Sequence, residues 1–195
     1  MIKPAETARE RILTAANKLF YAEGIRAVSL DTIAEKAGIT KKTVYYHFKS
    51  KDDLIEAYLA SRDQPNLNQF RKWFGKAEGD LPDKVEAIFR QIAVAARHPK
   101  WKGCGFLRTA AELANMPGHP AMKVGAGHKK KFEAWMAEEF EAAGVGGAPH
   151  LARHIVLLLD GAFSTILVHR DPAYAEAAGE AARALVASAM LNQAG

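Results

Sequence analysis

Cysteine is almost missing from this chain. Cys104 is the only one in 195 residues, which excludes an internal disulfide framework and a cysteine-rich zinc site. Long apolar runs are missing too. The longest, Ile155 to Leu159, falls far short of the roughly 20 residues of a membrane span, and the opening MIKPAETARERI has no apolar leader core. The expectation is a soluble, cytoplasmic protein with no membrane contact. No acid/base pair, nucleophile frame, phosphate loop or HExxH occurs, so neither an enzyme nor a cofactor is expected. His150 and His154 stand four apart but have no third ligand in sequence, so no metal is expected either. The last absence is local. From Lys36 to Lys51 the charges are Lys36, Lys41, Lys42, Lys49 and Lys51, with no Asp or Glu between them. A merely solvated helix usually mixes both signs. With Lys plus Arg at 27 against Asp plus Glu at 22, a net charge of +5, this one-sign stretch suits an anionic partner.

The same stretch reads as two short helices and a tight turn. Ser29 is suited to cap the first, Asp31 complements its dipole, and Leu30, Ile33, Ala34 and Ala37 share one face. Gly38 supplies a left-handed turn, and Thr40 caps the second helix. Val44 and Phe48 face inward, which sends Thr40, Lys41, Lys42, Thr43, Tyr46 and His47 to the outer side or the leading end. Tyr45 falls near the boundary. Before this pair, Thr7 to Glu23 carries apolar residues at helical spacing and ends at Gly24. After it, Ser50-Lys51-Asp52-Asp53 opens another helix, with Pro65 expected to bend or interrupt it.

Every later signal is helical: Lys84 to Arg97, Phe106 to Asn115, Pro120 to Ala143, His150 to His169, and a last alanine-rich helix ending near Gln193. No strand pattern and no internal repeat occurs. The expected fold is all-α with about nine helices, divided into residues 1–64 and residues 65–195.

The combination Ala37-Gly38-Ile39, Thr43-Val44-Tyr45-Tyr46-His47-Phe48 and Ser50-Lys51-Asp52-Asp53-Leu54 resembles the TetR (tetracycline-repressor) family of bacterial transcription regulators. Ile12, Ala15, Leu19, Phe20, Gly24, Ser29, Ile33 and Ala34 extend the likeness over roughly the first third of the chain. The resemblance implies a three-helix helix-turn-helix domain for residues 1–64 and a helical effector-binding and dimerisation domain for residues 65–195. A recognition helix in the major groove reads with its leading residues and clamps phosphates at its edges. Lys41, Lys42 and Thr43 are therefore candidates for base contact, since lysine suits guanine acceptors and a threonine methyl suits thymine. Thr40 divides between capping and phosphate. The resemblance places Tyr45, Tyr46, His47 and Lys51 near the DNA backbone, while Ser29 offers a capped helix start on the other flank. Asp31 departs from the pattern, because some relatives carry a DNA-facing arginine there.

One head spans too few base pairs to specify an operator, so a homodimer on palindromic double-stranded DNA is expected. Candidate interface residues are Ile155, Leu158, Leu159 and Ala162 on one helix, and Ala178, Ala182, Leu185 and Val186 on the next, with filling of the protomer core as the rival role. Cys104, Phe106, Leu107, Phe132, Trp135, Met136 and Phe163 are candidates for a pocket suited to a hydrophobic or aromatic effector, again with core as the rival. Arg108, Glu112 or His128 would supply polar handles, although the first two also have the spacing of a helix-surface pair. The functional expectation is a ligand-responsive repressor. The alternative is a DNA-binding regulator without a small-molecule effector, controlled by a protein partner or by redox at Cys104.

Overall fold

The computed structural model describes residues 6–191, which form nine α-helices and no strand. They are α1 (Ala8–Glu23), α2 (Leu30–Ala37), α3 (Lys41–His47), α4 (Lys51–Lys76), α5 (Leu81–Ala96), α6 (Gly105–Glu112), α7 (Pro120–Ala142), α8 (Ala148–His169) and α9 (Ala173–Leu191). Residues 1–5 of the opening segment and the expected helix end near Gln193 lie outside the described residues.

Two compact units emerge from the packing. The first runs to Asp63 and includes Gly105–Ala126; the second comprises Gln64–Cys104 and the chain from Gly127 onward. The segment Gly105–Ala126, assigned by sequence to residues 65–195, thus packs with the N-terminal helices. Its side chains are long-range partners of α1 and α4, as described below, and distant pairing has no local signature. Pro65 does not end α4, which runs unbroken from Lys51 to Lys76. The proline forfeits one backbone hydrogen bond there and is tolerated.

In the first unit Ile12, Ala16, Phe20, Ile33, Val44, Leu54 and Tyr58 are all essentially inaccessible. Full burial of each of the larger of these side chains is worth about 1.5–3 kcal/mol over its exposed state. The Phe20 and Tyr58 rings meet edge to face with centroids 5.5 Å apart, joining α1 to α4. Helix starts are secured locally. Thr7 and Glu10 form a reciprocal capping box at α1, and the Ser50 hydroxyl accepts from the Asp53 N–H at 3.0 Å.

In the second unit α9 packs against both α5 and α8. Ile88, Phe89 and Ile92 of α5, Phe132, Met136 and Phe140 of α7, and Ile155, Leu159, Ala182 and Val186 of the last two helices are buried. Asp80 and Asp83 form a second reciprocal capping box at the start of α5. Helix α8 is, by length and composition, apolar enough to cross a membrane, with a mean hydropathy of 1.6. Run length alone does not reveal this, because Asp160, His154 and Arg153 interrupt it. Its apolar face is instead occupied by core packing, through Ile155, Leu159, Ala162 and Ile166.

Candidate nucleic-acid interface

The α2–α3 turn is built from the backbone outward. Gly38 adopts φ 63°, ψ 43°, and its N–H returns to the Ala34 and Glu35 carbonyls. The Ile39 N–H also reaches the Ala34 carbonyl at 3.0 Å, completing a glycine-terminated helix end. From α1, the Arg11 guanidinium donates to the carbonyls of Ala37 at 2.5 Å and Gly38 at 2.8 Å. A cation there complements the negative end of α2. Val44, fully buried, pins α3 beneath this turn.

Both caps are engaged. The Ser29 hydroxyl accepts from the Thr32 N–H at 3.1 Å, and Thr40 accepts from the Thr43 N–H at 3.2 Å. The Thr40 and Thr43 hydroxyls also lie 2.9 Å apart. Thr43 is therefore half-buried and tied to its cap, while Lys42 stands exposed. Tyr46 is 86% exposed and Tyr45 is 50% exposed. An exposed tyrosine at 86% contributes nothing to the protomer's core, so the structure offers no packing reason for it. The His47 ring meets the Tyr46 ring edge-on at 5.0 Å, which orients both along one edge of α3.

Two lysines depart from simple exposure. Lys41 donates to Asp31 Oδ2 at 2.7 Å. That hydrogen bond, then the carboxylate's charge, raises the lysine's pKa above its ordinary value. The acid-free stretch is thus met by an acid from outside it. Lys51 is half-buried, and its Nζ lies 3.4 Å from the Arg26 carbonyl. Burial lowers its pKa, partly offset by the charges of Glu112 and Asp52. Its ammonium is a strut under the α1–α2 connection.

That connection shows what sequence reasoning missed. The Arg108 guanidinium donates to the Tyr21 carbonyl at 2.7 Å, across 87 positions. Glu112 accepts from the N–H groups of Ile25 at 3.2 Å and Arg26 at 2.9 Å. Arg26 in turn donates to Asn115 Oδ1 at 3.0 Å. The two residues weighed as pocket handles or as a pair on α6 are therefore a clamp on the end of α1. Gly24 makes room for it: φ is 93°, and a Cβ there would stand 2.9 Å from Glu112 Oε1. At the start of α7, His119 Nδ1 accepts from the Ala121 N–H at 3.1 Å, and its Nε2 lies 3.2 Å from Asp52 Oδ1. No i-to-i+3 or i-to-i+4 pattern could have revealed either arrangement.

The expected effector set divides between the two units. Phe132 and Trp135 are locked with Phe70 and Phe74 in edge-to-face contacts at 5.1–5.6 Å, and Met136 is inaccessible. That is packed core. Cys104 and Phe163 also belong to the second unit. Phe163 stacks on Trp101 at 6.2 Å, and Lys129 approaches both the Phe163 ring and Cys104 Sγ, the latter at 3.9 Å. Phe106 and Leu107 belong to the first unit. Lys129 is mostly covered and paired with Asp160. His128 is buried. His150 and His154 have ring centroids 4.4 Å apart, and among the described residues no group of three metal-ligating side chains forms.

The interface candidates also need correction. Ile155, Leu159, Ala162, Ala182 and Val186 are buried within the single chain and are not on its surface to meet a partner. They point inward because α9 must cover both α5 and α8. Leu158 and Ala178 are half-buried, and Leu185 is 40% exposed. The exposed large apolar residues of these two helices are Leu157 and Val168 on α8 and Tyr174, Leu185 and Leu191 on α9, of which the pattern picked out Leu185.

Residues 12–58 match the family model of bacterial regulatory proteins, tetR family. Over 95% of both chains this protein is 34% identical to a TetR-family transcriptional regulator from Streptomyces coelicolor of known crystal structure, with a TM-score of 0.77. It is 40% identical over 97 residues to the HTH-type transcriptional regulator TtgR from Pseudomonas putida, a match spanning 48% of this chain and 46% of TtgR. It is 48% identical over 61 residues to the HTH-type transcriptional regulator SrpR from the same species, across 31% of this chain and 29% of SrpR. The chain thus spans less than half the length of these curated relatives.

Proposed function

Because this chain belongs to the TetR family of DNA-binding transcriptional regulators, which are not enzymes, we propose that it is a ligand-responsive, homodimeric repressor of a palindromic operator. Helix α3 enters the major groove, Lys42 and Thr43 lead toward the base edges, and Tyr45, Tyr46 and His47 follow the backbone. Lys51 and the capped start of α2 at Ser29 hold phosphates on either side. The observation that carries this reading is the exposed face of α3, where an 86% exposed Tyr46 stands beside Lys42 on an acid-free helix.

The protein acts in the cytoplasm without membrane contact. Dimers form through the outer faces of α8 and α9, where Leu157 is 65% and Val168 73% exposed. A hydrophobic or aromatic small molecule held in the second unit releases the DNA, and the stacked Trp101–Phe163 pair beside Cys104 supports that ligand class. The N-terminal stretch of the head ends at residues 64/65, and α6 belongs with the head, where it clamps the end of α1.

The test begins with duplexes recovered by the full-length protein from a randomised pool. Lys42→Ala should change which duplexes are preferred, whereas Tyr46→Ala should weaken binding to all of them. Uniform, equal losses from both variants would remove the division of labour. A thermal-shift screen of apolar compounds, followed by DNA release, tests the effector, and light scattering at micromolar concentration tests the dimer.

A further inference from the structure

The pair Asp31–Lys41 sits at the leading edge of the reading head, and local structure does not require it. Ser29 already caps α2, and Gly38 with Arg11 already secures the turn. The two side chains remain open to solvent, Lys41 at 48% and Asp31 at 65%, where an ion pair adds little to stability. Lys42, the next residue, has no acid paired with it among the described residues. The carboxylate therefore falls on one of two adjacent lysines at the start of the recognition helix. It meets Lys41 through Oδ2, and Oδ1 carries no other described bond.

We propose that Asp31 is a specificity-determining residue of the DNA interface: with Lys41 it forms a charge-neutral donor–acceptor unit that reads a G·C edge and keeps Lys41 from holding phosphate. The proposal rests on α3 being the DNA reader. A lone lysine beside DNA adds the same attraction to every sequence, because phosphates are everywhere. A lysine already neutralised at 2.7 Å contributes little of that. Against bases the unit remains useful. The ammonium keeps donors for guanine O6 and N7, and the open carboxylate oxygen accepts from the cytosine N4 amino group. Where the bases present the wrong edges, an acceptor faces an acceptor. Asp31 thus costs affinity on the wrong sequence, whereas on the right one its contact to cytosine offsets that cost, which is how repulsion produces discrimination.

Full-length wild type, Asp31→Asn, Lys41→Gln and the double variant are titrated against the best recovered duplex and its scrambled counterpart over a salt series. Asp31→Asn should bind scrambled DNA about tenfold more tightly, with its log–log salt slope steeper by about 0.9. It should bind the recovered duplex no more tightly, so the specificity ratio falls about tenfold. Selection with this variant should lose a G·C preference at one position of each half-site. Lys41→Gln should lower the ratio by a similar factor, and the double variant should be no worse than either single one. Equal gains on both duplexes would overturn the proposal, as would ratios that add independently in the double variant. No change with Asp31→Asn, while Lys42→Ala still alters preference, would also overturn it and leave the α3 reading intact. Should Asp31→Asn fail to fold, the Lys41→Gln ratio decides the same point.

Discussion

The first unit spends its polar side chains on its own backbone, and the second spends its aromatic side chains on its own core. In the head, Ser29, Thr40, Arg11 and Glu112 each satisfy main-chain groups. The helix ends are thereby fixed through their own backbone groups, and the outer face of α3 is left bare. In the second unit Phe70, Phe74, Phe132 and Trp135 interlock, so rings chosen as pocket candidates are consumed by packing. A surface relieved of structural duty can specialise for a partner. A side chain that a core depends on cannot be exchanged to suit a ligand without loss of stability.

Phe132→Ala separates the two roles with the largest expected effect. Phe132 is 1% exposed, and emptying such a site costs about 3–5 kcal/mol. The urea midpoint should fall steeply for the whole second unit. A variant with near wild-type stability but altered response to apolar compounds would return Phe132 to the pocket.

Glu112→Ala tests the head's dependence on backbone satisfaction. Two N–H groups lose a charged acceptor, at a cost of about 1–3 kcal/mol. Hydrogen exchange should show Ile25 and Arg26 losing protection, and DNA affinity should fall for all sequences alike. Unchanged protection at both amides would mean that water replaces the carboxylate fully.

This comparison also explains what could be read from the sequence. The helix-turn-helix was legible because its determinants lie within a few residues of one another: a cap, its partner three positions on, a glycine at the turn. Ser29, Gly38 and Thr40 behave as their neighbours require. Arg108 and Glu112 were misread because their partners lie 86–87 positions away, and spacing on α6 suggested only each other. The α8 and α9 faces were misplaced for a related reason. When a helix is apolar around most of its circumference, periodicity cannot choose the face that α9 covers. Leu157 and Leu159 read alike in sequence, yet one is 65% exposed and the other 1%.

Thr40→Ala should have a smaller effect, about 1 kcal/mol for a lost cap. The hydroxyl holds the Thr43 N–H and the Thr43 side chain, so the variant should fray the start of α3 and loosen sequence preference. Thr40→Ser keeps the oxygen and should restore both. Failure of serine to rescue would shift the role from the hydroxyl to the threonine methyl.

The smallest effect is expected where polar contacts lie on the second unit's surface. Arg183 of α9 donates to Asp83 Oδ1 at 2.8 Å and lies 3.5 Å from Glu86. The hydrogen bond from Arg183 is the chief reason the Asp83 carboxyl titrates below its ordinary 3.8, with the Asp80 backbone second. A carboxylate lowered in this way stabilises the fold above its unfolded value, and that contribution fades as pH falls through the folded one. Arg183→Gln should therefore lower the urea midpoint slightly near neutral pH. The gap between variant and wild type should close as the pH drops below about 4. Because both groups are exposed, high salt should narrow the gap as well. A gap that persists in acid would assign the loss to the packing of the arginine stem along α5 rather than to its charge.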